Sequence, residues 1–224
     1  MKKLQITNYK LQIFLLFLIC NLQSAICNRL YCEPAMITGN QMKMLQKGDI
    51  LEFIGNVKFV QQNLTITADK MKSNEKTGIV EGYGNITVHY SSGSQNTYAW
   101  GNNAKYNKNS GFGIFTGNIK VKKILHDTTA SLDLTCDELE VFEFGDRFHA
   151  IKNVKIIQPQ TEATSNEAFY NHKTKEILLT GGPPKITKFD EKGQTEFSAD
   201  QITIVTDKEV ITSSGNVKAK MVLK

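Results

Sequence analysis

Beyond its first 27 residues, this 224-residue chain has no useful length of apolar residues at the 3.6-residue period of an amphipathic helix. That absence leaves an almost wholly antiparallel β reading. Tryptophan is nearly missing too, one against seven tyrosines and twelve phenylalanines, a balance that suits strands. No C-x-x-C pair occurs, so neither a zinc site nor a redox motif is supported. The four histidines, His89, His126, His149 and His172, are scattered without metal-ligand spacing. There is no G-x-S-x-G and no Cys/His pairing of a known kind. "EGYG" (81–84) lacks the strand–helix context of a phosphate-cradling loop. The expectation is therefore a protein without catalytic residues, metal or cofactor.

A charge excess is also missing. Lys and Arg number 27 against 22 Asp and Glu, a formal +5. Lys2, Lys3 and Lys10 belong to the first 27 residues, which hold no acid, so the remainder carries 24 against 22, or +2. Net charge thus makes no case for a polyanion partner, and nucleic acid is not expected.

Those first 27 residues have a basic start, a short apolar core at 11–20 ("LQIFLLFLIC") and small residues at 24–27 ("SAIC"). This is the pattern of a secretory signal peptide. An uncleaved anchor is the alternative, against which stand the short run and the flanking Gln12, Asn21 and Gln23. Bulky Ile19 and Ile26 disfavour lipidation of Cys20 or Cys27. Removing the leader leaves Cys32 and Cys136, which either pair in an exported chain or remain free thiols. The domain reading is a leader over 1–27 and one β domain over 28–224.

What is present is a repeat. A Gly-Asn anchor followed by apolar-x-apolar recurs at Val57/Phe59, Ile86/Val88, Ile119/Val121, Val154/Ile156 (where Lys152 replaces the Gly) and Val217/Ala219. A degenerate copy, "TGGPPKITK", places Pro184/Ile186 in the gap before the last. Successive asparagines lie 29, 33 and 35 residues apart, with a double step of 63 to Asn216. A period near 30 indicates a repeat architecture.

A second anchor lies between: "ADKM" (68–71), "NAKY" (103–106), "CDEL" (136–139), "SNEA" (165–168) and "ADQI" (199–202). Strict alternation precedes it, as in Leu64-Thr-Ile66 and Leu132-Asp-Leu134, so one side of each strand faces a core. Polar turns follow it. Asp69, Asp137 and Asp200 recur at one phase of the repeat, which signals hydrogen bonding at a strand end rather than an active site. Gly and Asn both tolerate positive φ. Each Gly-Asn therefore reads as a corner turning a strand, the alternative being a hairpin turn before each strand.

At "LEFIGNVKFVQQNLTITADKM" (51–71), "IVEGYGNITVHY" (79–90) and "AKYNKNSGFGIFTGNIKV" (104–121), the chain resembles the OstA-like family of lipopolysaccharide-transport periplasmic proteins. The matching features are the F-x-G-N-V corner, T-I-x-A-D-K, E-G-Y-G, Tyr106 and the T-G-N triplet. The motifs cover about residues 34–125, and beyond them the repeat alone matches, with one or two repeats more than common members have. The resemblance implies an open β-jellyroll, a folded sheet with an apolar slot. It implies a periplasmic carrier that binds lipopolysaccharide by its lipid A acyl chains. It also implies head-to-tail self-association and like-folded partners anchored in the inner and outer membranes. An inner-membrane-anchored relative, or a structural β-repeat polymer without lipid cargo, are the other functions that fit.

Exposing an acyl chain to water costs about 0.8 kcal/mol per CH₂, so a carrier needs a continuous apolar trough. The candidate lining is Phe53, Val57, Phe59, Leu64, Ile66, Ile86, Val88, Ile119, Val121, Leu132, Leu134, Val154 and Ile156. Each also fits an ordinary β-core residue.

Overall fold

A computed structural model describes residues 36–223, apart from 93–94, 126–130, 144–145, 172, 192 and 206–209. The leader and Cys32 lie outside these residues, and so does the Cys32–Cys136 pairing. Among the described residues no helix is long and apolar enough to cross a membrane.

The described residues form one open antiparallel sheet of sixteen strands, a β-jellyroll. Eight long strands make its middle: β3 (Ile50–Gln61), β4 (Leu64–Asn74), β5 (Ile79–Ser92), β6 (Gln95–Asn107), β7 (Phe112–Leu125), β8 (Ser131–Phe142), β9 (Arg147–Gln158) and β10 (Thr161–Asn171). They pair in sequence order. The Gly-Asn copies lie inside these strands, not in the turns before them. At each of the seven interfaces from β3/β4 to β9/β10 the register slips at the anchors. Asn56, Asn85, Asn118 and Asn153 have φ of 48°, 44°, 54° and 52°, the left-handed backbone that asparagine tolerates better than most residues. Gly84, with φ 70°, lies so close to the Asp69 carboxylate that a Cβ would collide with it.

The corners divide every long strand into two arms, and the sheet into two leaves. The first leaf holds arms such as 50–54, 70–74 and 138–142. The second holds 57–61, 64–68 and 131–136. Outside the middle the two arms are separate strands. β1 (Met36–Thr38) and β2 (Gln41–Leu45) border the two arms of β3. On the other side β11 (Glu176–Thr180) and β12 (Lys185–Asp190) pair with the two arms of β10. The break between them is "GGPP", where two prolines supply no N–H to a ladder. β13 (Gly193–Ser198) and β16 (Lys218–Leu223) extend the second leaf, and β14 (Gln201–Val205) and β15 (Val210–Ser214) the first.

The second anchor corrects the sequence expectation. Ala68-Asp69 and Cys136-Asp137 are not strand ends: β4 and β8 run on past them for five residues. Three of the anchors sit opposite the next Gly-Asn and brace it. Asn85 Nδ2 donates to Asp69 at 3.0 Å, Asn153 Nδ2 to Asp137 at 2.9 Å, and Asn216 Nδ2 to both Asp200 oxygens at 3.1 and 3.0 Å. The hydrogen-bonding role holds, at the bend instead of the end.

Candidate functional site

Two apolar rows face each other between the leaves. In the second leaf the register aligns Phe59, Ile66, Val88, Ala99, Val121, Leu134, Ile156, Ala163, Ile186 and Phe197, one residue per strand across ten strands. In the first leaf it aligns Phe53, Met71, Gly82, Ala104, Phe115, Leu139, Ala150, Ala168, Leu179 and Ile202. No charged or amide side chain interrupts either row.

The candidate lining falls into this arrangement unevenly. Leu64, Ile86, Val88, Ile119, Val121, Leu132, Leu134 and Val154 are members of one buried cluster. Phe59, Ile66 and Ile156 are half-buried and pack against it. Val57 is buried at the β3 corner. Phe53 is half-buried in the first leaf. All but Phe53 lie in the second leaf, so the sequence reading found one wall. It missed the other, built from Met71, Phe115, Leu139, Val141, Phe148, Tyr170, Ile177, Leu179 and Ile202 among others.

The two walls meet. One void of about 30 Å³ lies among Leu132, Leu134 and Ile156 of the second leaf and Leu139, Phe148 and Ile177 of the first. Another of about 30 Å³ lies among Ile86, Val88 and Val121 facing Phe115 and Leu139. Each volume is about one water molecule's share of the liquid. The two leaves are therefore packed against each other along the middle of the sheet. Close approach is helped at Gly101, where a Cβ would stand 2.7 Å from Ile119 Cδ1.

Three polar side chains interrupt the interior. Lys123 points inward beside Thr97 and Leu132, 3% exposed, and desolvation pulls its ammonium down to about 8. Burial pushes the Cys136 thiol and the Tyr170 phenol up to about 12 each, so both are neutral at ordinary pH. A larger cleft, about 450 Å³, opens where strands of the first leaf end, lined by Phe142, Arg147, Phe148, His149, Phe169 and Tyr170 among others. There His149 lies between Glu140 (3.0 Å) and Glu167 (3.2 Å), stacked on Phe169 with ring centroids 3.9 Å apart. No group of three His, Cys, Asp or Glu able to hold a metal occurs among the described residues.

Among the described residues, nothing covers the ends of the stack. Met36, Met42 and Met44 of β1 and β2 are exposed, as are Val217, Met221 and Val222 at β16. Among the described strands, β2 pairs only with β3, and β16 only with β13.

Two overlapping segments, residues 36–137 and 101–210, match the family described as "LptA/(LptD N-terminal domain) LPS transport protein". Among solved structures, one match is LptH from Pseudomonas aeruginosa, described as the LptA homologous periplasmic component of the conserved lipopolysaccharide transport device. It is 10% identical with a TM-score of 0.26, over 86% of this chain and 96% of that one. No curated protein matches.

Proposed function

Because the chain belongs to the LptA/LptD N-terminal-domain family of lipopolysaccharide transport proteins, we propose that it carries lipopolysaccharide through the periplasm, holding the lipid A acyl chains between the two leaves. The observation that carries this reading is the pair of facing apolar rows, unbroken across ten strands. A cargo of several acyl chains, each worth about 0.8 kcal/mol per CH₂ removed from water, supplies the free energy to spread the leaves, which are held together mainly by the same kind of contact. The thirteen lining candidates act as one wall in this reading, and the first-leaf row as the other.

The ends suit a bridge. An uncovered edge offers unpaired N–H and C=O groups, and a like-folded domain adding its own edge strand satisfies them. A first edge meeting a last edge is a head-to-tail contact that does not close, so it grows into a rod with aligned slots. The partners are further copies and like-folded domains at the inner and outer membranes. Residues 1–27 act as the cleaved leader and 28–224 as the carrier domain. Mature protein starting near Asn28 is the expected N-terminus, whereas retention of residues 1–27 identifies a membrane-anchored relative.

Photo-crosslinking tests the slot. A crosslinking residue at Phe59 or Ile66 is expected to capture lipopolysaccharide in growing cells, and one at outward Lys58 or Thr65 is not. Capture from the outward pair alone overturns the reading. For the joint, adjacent residues of β16 turn their N–H groups to opposite sides. Of Ala219→Pro and Lys220→Pro, the one that leaves β16 paired to β13 is expected to give a folded protein that no longer self-associates. Unchanged assembly by that variant places the joint elsewhere.

A further inference from the structure

The residue between the two inward apolar positions of each corner points out of the second leaf. It is lysine at five of six copies: Lys58, Lys120, Lys155, Lys185 and Lys218, with Thr87 the sixth. Strand register brings all five into one outward row, filled between them by Thr67, Thr87, Trp100, Thr135, Thr164 and Ser198. The row crosses ten strand steps, about 48 Å at about 4.8 Å per step, and contains no acidic residue. From Lys120 onward a lysine stands on every second strand, about 10 Å apart, with a hydroxyl between each pair.

The outer face of the first leaf is built differently. There lysines alternate with acids, Lys70 on Glu52 at 2.6 Å and Glu81 between Lys72 (4.0 Å) and Lys105 (3.7 Å). In the lysine row, Lys155 and Lys185 reach acids of the neighbouring row, Glu162 at 2.9 Å and Glu196 at 3.2 Å. Exposed pairs of this kind exchange readily for another anion. Lys58, Lys120 and Lys218 make no ion pair with a described acid. Lys120 instead stands over the Trp100 ring, 5.8 Å from its centroid, and Tyr98 stacks on Trp100 at 6.1 Å. Trp100 is 37% exposed, the one aromatic of the row.

We propose that this stripe binds an anionic glycan chain, its lysines taking acid groups, its Thr and Ser hydroxyls taking sugar hydroxyls, and Trp100 packing on the apolar face of a sugar ring. Sheet twist decides against a membrane. Neighbouring strands rotate by about 20–25°, so ten steps wind the row through roughly 200° or more. A flat bilayer meets few of these lysines together, whereas a flexible linear chain follows them all. An acidic polypeptide satisfies the lysines but has no use for the hydroxyl–aromatic pattern. The net charge of +2 outside the leader does not foretell this surface, because its cause is placement.

The test titrates the full-length mature chain with dextran sulfate, unsulfated dextran, polyglutamate and phosphatidylglycerol vesicles at low and physiological salt. Dextran sulfate is expected to bind, more weakly as salt rises, and unsulfated dextran not to bind. Lys120→Gln/Lys155→Gln/Lys185→Gln is expected to weaken dextran sulfate at least tenfold without moving the thermal midpoint. Lys70→Gln/Lys72→Gln/Lys105→Gln, with the same charge change on the other leaf, is expected to leave it within twofold. Trp100→Ala is expected to weaken dextran sulfate and not polyglutamate. Saccharide freed from lipopolysaccharide by mild acid, added as competitor, separates the sources: displacement assigns the stripe to the cargo's own sugars, and no displacement assigns it to another anionic glycan. The proposal is overturned by absent dextran sulfate binding, by equal losses in the two triple variants, by tighter binding to vesicles, or by polyglutamate binding equally well with no effect of Trp100→Ala.

Discussion

The phrase Gly-Asn-Val-Lys occurs at 55–58 and again at 215–218, and the two copies have opposite fates. Val57 is 1% exposed and Val217 is 55% exposed. The local structure is nonetheless alike. Asn56 and Asn216 share φ of 48° and 42°. Asn40 N–H donates to Gly55 O at 2.9 Å, and Asp200 N–H donates to Gly215 O at 2.9 Å. A corner is thus a local device, written in two residues and braced by the preceding strand. Burial is not local, because an inward side chain needs a neighbour on both flanks and a leaf opposite. The middle of the stack has all three, whereas the last strand has a described neighbour, β13, on one flank only. The last copy of the repeat thus keeps the bend without the core that buries the earlier ones.

The largest effect expected from that contrast is in the core. Leu134, 2% exposed, sits in the row between Val121 and Ile156. Leu134→Ala should cost about 2–5 kcal/mol, the range for truncating a buried leucine whose site collapses incompletely. Met221, at 66% exposure in β16, should tolerate Met221→Ala within about 0.5 kcal/mol. Denaturant midpoints of the isolated monomer check both. A comparable loss at Met221 means that its side chain is packed within the folded monomer.

A smaller and pH-dependent effect comes from Lys123, a cation inside the second leaf. Its folded value of about 8 lies below the ordinary lysine value of 10.5, so the unfolded chain binds more protons between those limits. Stability from this group is absent below about pH 8, rises with pH through that window and is complete above 10.5. Lys123→Met should therefore stabilise the protein at pH 7, by no more than about 3 kcal/mol at about 1.36 kcal/mol per pH unit. The gain should shrink as pH climbs from about 8 towards 10.5. Cys136 and Tyr170, raised by burial, weaken the fold above about pH 9 and 10 respectively. They do so in parent and variant alike, so the difference isolates Lys123. A gain independent of pH assigns the effect to packing.

What is legible in the sequence and what is not divide along the same line of local against non-local. The corners were readable because Gly55-Asn56 and its copies combine tolerance of positive φ with strand-like flanks. The second-leaf wall was readable because Leu64, Ile66 and Ala68 alternate strictly. The first-leaf wall was hidden by a slip at the second anchor. Ala68 and Met71 both face inward, three residues apart, as do Cys136 and Leu139. Strict alternation carried past the anchor points Lys70 and Lys72 into the core and Met71 out of it. The slip follows from the bulge opposite, which gives one strand an extra residue at the bend. The exposure of Val217 was hidden for another reason: no property of "GNVK" states how many strands lie beyond it.

The smallest effect sharpens the comparison most, because the bond chemistry is the same at both places. Asp137 accepts one hydrogen bond from Asn153 Nδ2 in the middle of the stack, and Asp200 accepts two contacts from Asn216 Nδ2 near its end. Counting bonds alone, Asp200→Ala should cost more. Position reverses the order. Loosening the β8–β9 corner disturbs strands paired on both sides, and the cost, about 1 kcal/mol for a partly solvated bond, appears in global unfolding. Loosening the β15–β16 corner frees a strand that can fray without unfolding the rest, so global stability should move by only a few tenths of a kcal/mol. Amide exchange gives the complementary reading. Asp200→Ala should speed exchange across 210–223 while leaving 131–158 unchanged, and Asp137→Ala should raise exchange throughout. Equal global losses in the two variants would mean that the last corner folds as one unit with the middle. The exposed β16 would then be a rigid edge and not a strand that frays.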